Sequence, residues 1–129
     1  MANQGDIPFD IAVTTTAPTD SNDTEIFNSV TAFGRGVFRT LGIKRLSFGA
    51  EHSHAATVKF YMSTNHGTNW DQIEGDETAG VPAAGDIGGP WDLYTAPYPD
   101  VRIVWTNGGT TQTTWRPVLR AHYDSQPGT

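Results

Sequence analysis

Residues 55–63 read AATVKFYMS, and this stretch decides the fold. Val58, Phe60 and Met62 fall on one side, and Thr57, Lys59 and Tyr61 on the other. Successive side chains of a strand point to opposite faces, so the alternation predicts a strand with one buried and one wet face. That pattern belongs to antiparallel sheets, which pack one face on a core and leave the other to solvent.

Further along, DVRIVWT at 100–106 repeats the pattern, with Val101, Ile103 and Trp105 on one face. TQTTWRPVLRAHY at 111–123 reads as the closing strand. Asn107-Gly108 between them predicts a two-residue hairpin, because both centres of a type I′ turn need positive φ. Pro117 has no N–H to donate, which predicts an edge strand or a bulge there. Trp105 and Trp115 alternate with aliphatic neighbours and are assigned to the core.

Upstream, GVFRTLGIKRLSFG at 36–49 reads as two strands joined near Gly42. EIFNSVTAF at 25–33 fits two templates. Ile26, Phe27, Val30 and Phe33 form a helical stripe that Thr24 could cap, whereas Asn28, Ser29 and Thr31 favour strand or loop. A strand is expected there. Trp70 to Ile73 begin a return strand after a hairpin, and WDLYT at 91–95 adds a short one. Residues 74–90, with five Gly and two Pro, read as a long contact loop.

The count is about eight strands with turn signals between them. It predicts an all-β, antiparallel sandwich or jelly roll over residues 25–129. Residues 1–24 are expected to form an extended N-terminal arm, in which Phe9, Ile11 and Val13 alternate with Asp10, Ala12 and Thr14 as in one strand. Composition agrees: 18 Thr, 14 Gly and 8 Pro in 129 residues disfavour long helices and favour strands and turns.

Several function classes are disfavoured. There is no Cys, so neither disulfides nor thiolate metal sites arise. No apolar run approaches a membrane span. The opening MANQGDIPFD lacks the basic and apolar parts of a signal peptide, so that export route is not expected. Net charge is −6, and the eight basic residues are scattered, which argues against binding nucleic acid. His52 and His54 share a strand face, but two imidazoles without a third ligand make no zinc site, and an exposed loop is expected. The acids Asp76 and Glu77 lie in a glycine-rich loop, where water would solvate both. Nucleophile-elbow, metalloprotease and phosphate-loop motifs are missing, so no enzyme, cofactor or resident metal is expected.

Ser63-Thr64-Asn65-His66-Gly67-Thr68-Asn69-Trp70 resembles the Asp-box of sialidase-like propellers, with Asn65 in place of Asp. One copy cannot build a propeller, so the motif is expected to serve as a turn. Trp91, Tyr94 and Tyr98 flank the long loop and are expected as exposed interface anchors.

Two stretches together, ATVKFYMSTNHGTNW and YPDVRIVWTNGGTTQTTWRPVLRAHY, resemble β-sandwich structural proteins of tailed bacteriophages. Such domains occur in decoration proteins, head fibres and tail accessory proteins. The resemblance implies a non-enzymatic capsid decoration (cement) protein on the virion surface. Its partner would be the major capsid protein, and the chain would form a homo-oligomer, with a trimer favoured. The arm, through Phe9, Ile11 and Val13, and the loop anchors would make the contacts. The alternative is a carbohydrate-binding module of a phage fibre, with Trp91, Tyr94 and Tyr98 stacking on a glycan.

Overall fold

The computed structural model describes all residues except 1–5, 14–15, 20, 36, 41, 74–76, 83–85, 95–98 and 125–129; the side chains of 6–9, 39–40, 94 and 123–124 also lie outside the description. The chain is an all-β sandwich of two antiparallel sheets. Strand β1 (Asp6–Ile11) leads into β2 (Asp23–Asn28) and two short helices, α1 (Ser29–Phe33) and α2 (Val37–Thr40). Then come β3 (Ile43–His52), β4 (Ala56–Ser63), β5 (Asp71–Gln72), β6 (Glu77–Ala79), β7 (Gly88–Tyr94), β8 (Asp100–Asn107) and β9 (Trp115–Asp124). The first sheet has the order β1-β9-β3-β7. The second has β2-β8-β4-β5, with β6 also pairing β4.

The core lies between the sheets. Leu46, Phe48, Leu93, Leu119 and Ala121 face inward from the first sheet; Val58, Phe60, Val101, Ile103 and Trp105 face them from the second. The alternation in β4 holds at Val58 and Phe60, which are buried while Thr57, Lys59 and Tyr61 are partly exposed; Met62, expected on the same face, is only partly buried. Trp105 lies at the centre of an aromatic group. Trp115, His52, Phe48 and Trp91 meet it edge-on at ring distances of 4.8, 4.9, 6.2 and 6.4 Å.

Four local expectations are corrected. Residues 37–40 form α2, not a strand, and this turn puts Phe38 into the core while Val37 stays exposed. Residues 25–33 divide: the strand stops at Asn28, whose side-chain oxygen caps α1 by accepting from Val30 N and Thr31 N. The cap is thus Asn28 rather than Thr24. Asn107-Gly108 makes no hairpin, because β8 and β9 belong to different sheets. Positive φ falls on Gly109 instead, and residues 108–114 arch across the end of the sandwich. Finally, the stretch expected as a free arm contributes β1, the edge strand paired with β9 from Asp6↔Asp124 to Ile11↔Leu119. The chain after it is tied down as well, since Pro18 O accepts from Gln112 N and Asn22 O from Asn107 N.

The loop at 74–90 also contains β6 and the start of β7. Pro117 lies in an interior strand, two residues beyond the last β1 pair, where β9 has β3 as its only neighbour among the described strands. The missing donor is tolerated because β9 is locally an edge.

Candidate interaction surface

Of the expected contact residues, the three whose side chains are described pack on the core. Ile11 and Val13 are partly buried and pack on the core cluster. Phe9 pairs with Ala121 through its backbone, and its side chain lies outside the described set. Trp91 also packs inward, its ring 5.8 Å from Phe48. It belongs to the aromatic group around Trp105 rather than to an exposed anchor. Tyr94 pairs with Arg45 through its backbone, and Tyr98 lies outside the described residues.

The ionisable side chains with chemical potential are engaged in holding loops. Asp100 is fully buried. Its carboxylate accepts from Ser29 Oγ at 2.8 Å and lies 2.9 Å from His66 Nδ1. Ser29 Oγ in turn accepts from Val101 N. These bonds join the start of β8, the N-terminal turn of α1 and the β4–β5 turn. His66 has a φ of 57°, an unusual conformation for a non-glycine residue, and Asp100 holds it there. The same turn uses Ser63 Oγ to accept from Gly67 N, and Asn65 Oδ1 to accept from Asn69 N. Gly67, at φ 89°, lets Trp70 fold back so closely that a Cβ there would lie 3.3 Å from its ring. The motif is the expected turn device, with the Asn65 side chain reaching four residues ahead to Asn69 N.

A second polar group lies at the opposite end of β8. Gln112 is 2% exposed. Its Oε1 accepts from Ser53 N and His54 N, both at 2.9 Å, and its Nε2 donates to His54 O and Asn107 Oδ1. One side chain therefore clamps the β3–β4 turn to the β8–β9 arch. His52, expected on an exposed loop, is buried because it ends β3 against Trp105. Its Nδ1 lies 2.8 Å from His54 O. Among the described residues no three His, Cys, Asp or Glu side chains group to hold a metal ion.

The outer face of the first sheet is built differently. Register places Asp10, Arg120, Ser47 and Asp92 in one row across β1, β9, β3 and β7. The row is internally paired: Arg120 Nε donates to Asp10 at 2.9 Å, Ser47 Oγ donates to Asp92, and Arg45 reaches the same Asp92 oxygen at 3.0 Å. A second row holds Glu51 opposite Arg116, with an ion pair at 3.3 Å. Between these rows the face turns apolar. Gly49 sits opposite Val118, and Ile87 leans across it. A Cβ on Gly49 would lie 2.8 Å from Ile87 Cγ2, so only glycine lets that side chain lie so low. Ile87, Pro90 and Val118 wall an open groove of about 360 Å³ around Gly49, with Ser47 and Arg120 at its rim. Ile87 is 55% exposed and Val118 39%.

An apolar centre inside a polar, ion-paired frame is the anatomy of a protein interface. Simple alternation hides it, because Val118 falls on the wet phase of β9 and Ile87 lies in the glycine-rich loop. The available signal was Val118 itself, an aliphatic residue out of phase between Arg116 and Arg120. Compared with known protein families, with characterised proteins and with solved structures, the chain matches none.

Proposed function

We propose that this chain is a non-enzymatic structural protein of a tailed-phage virion, a decoration (cement) protein on the capsid surface. It binds the major capsid protein as a homo-oligomer, with a trimer favoured, and stabilises the shell. The observation that carries the reading is the apolar band on the outer face of the first sheet, framed by two ion-paired rows. The resemblance of the β4 and β8–β9 stretches to phage β-sandwich proteins supplies the context. The fate of the ionisable groups agrees, since the Asp100 and Gln112 networks bond loops together and aim no reactive atom into a cleft. Shells present many equivalent sites, so a modest contact repeated over copies gives firm attachment. Binding to the assembled state alone would stabilise it by mass action.

The carbohydrate-binding alternative loses support from Trp91, whose ring packs towards Phe48 and Trp105. The test uses shells assembled from the major capsid protein of the same source. Purified chain is added, and bound protein is measured after sedimentation. Saturable, stoichiometric occupancy with a raised shell melting temperature is expected. Failure to co-sediment at any concentration overturns the reading.

A further inference from the structure

We infer that the groove over Gly49 receives one apolar side chain from an extended partner segment, and that Arg120 takes a carboxylate one or two residues away on that segment. The inference rests on the docking reading above and specifies the chemistry of the partner.

Two features choose this occupant. The groove walls are aliphatic, and the polar atoms of Ser47 at the rim are already engaged with Asp92 and Arg45. Such a slot takes a side chain without hydrogen-bonding groups. Arg120 is the one rim group with capacity left. Only its Nε is bonded, to Asp10, and its terminal nitrogens have no partner among the described residues. Its side chain is 52% exposed. A guanidinium with free terminal nitrogens beside an apolar slot matches a carboxylate near an apolar side chain, and the planar fork can grip both carboxylate oxygens.

Strand addition is the competing way to take an extended segment, and the groove does not offer it. The groove lies on the sheet face, walled by the side chains of Ile87, Pro90 and Val118, so a segment seated in it lies across side chains rather than beside the short stretch of β9 that β1 leaves unpaired at Pro117 and Val118.

The experiment is a selection from a displayed library of random peptides on the immobilised full chain. A consensus pairing an aliphatic or aromatic residue with Asp or Glu within two positions is expected. On Val118→Asp that consensus disappears, and Ile87→Asp repeats the result; both side chains are exposed, and near-ultraviolet circular dichroism verifies the fold. On Arg120→Gln the apolar preference persists while the acidic one is lost, and a synthetic consensus peptide binds about threefold more weakly, as expected for one exposed ion pair. Absence of a consensus, a basic consensus, or one unchanged on Val118→Asp overturns the inference. Shells that bind wild type and Val118→Asp equally would leave attachment standing and remove the groove from it. A peptide consensus without shell binding would do the reverse.

Discussion

Gln112 shows how much one residue can hold without leaving a trace in the sequence. It sits in a run of threonines, TTQTT, where a solvated loop is the natural reading. Its place in the fold depends on two turns that meet only once the sheets are stacked. Buried amides are tolerated when every donor and acceptor is used, and here both ends of the side chain are. Gln112→Ala would leave two partly buried backbone N–H groups, of Ser53 and His54, without their acceptor and the Asn107 side-chain oxygen without one of its donors. We expect a loss of about 2–4 kcal/mol in urea unfolding followed by tryptophan fluorescence, with the m-value unchanged. A loss below about 1 kcal/mol would mean that water replaces the amide, and that the clamp is not what secures the arch. Asp100 was equally illegible. By alternation it shares the wet phase of Arg102, yet the turn carrying His66 folds over it. Trp105 lies at the other extreme: its phase alone placed it correctly in the core.

Elements with a long, clean period were readable, and short ones were not. The inward phase of β4 and β8 survives in the structure at Val58 and Phe60 and at Val101, Ile103 and Trp105, although Met62 ends only half-buried and Val104 is covered on the opposite face of β8. Helices α1 and α2 are five and four residues long, too short to show a period or to stand alone. They exist because they carry Phe33 and Phe38 onto Phe27, closing the sandwich with three rings spaced 5.9–6.3 Å apart. Tertiary packing therefore overrides the weak local preference for strand. Phe38 is 1% exposed, so Phe38→Ala should cost about 3–5 kcal/mol in the same unfolding assay. Removing the α1 cap with Asn28→Ala should cost about 1 kcal/mol. If the two losses were equal, the helices would be held by their caps rather than by the aromatic plug, and this account of α1 and α2 would fail.

Taken as a whole, the molecule guards its sheet edges while leaving its apolar band exposed on a face. An edge strand offers unpaired backbone groups to any neighbour, and proteins blunt such edges with proline, bulges or short strands. This chain uses all three. β1 carries Pro8 and β7 carries Pro90. β2 has a register shift between Glu25 and Phe27, and the far side of β4 is covered by the short β5 and β6. A protein guarded in this way at its edges can expose an apolar band on a face without drawing copies of itself into an extended sheet. The sequence displayed the two prolines plainly, but which strands were edges emerged only from the sheet order. The variant Pro8→Val restores a backbone donor to β1, an edge of the first sheet. Sedimentation velocity at rising concentration should then show larger, sheet-extended species, with thioflavin binding that the parent lacks. Val118→Asp in the same background should leave those species unchanged, since they form by the edges and not by the groove. A variant no more associated than its parent would show that Pro8 guards nothing at that edge, and the protection of β1 would need another cause.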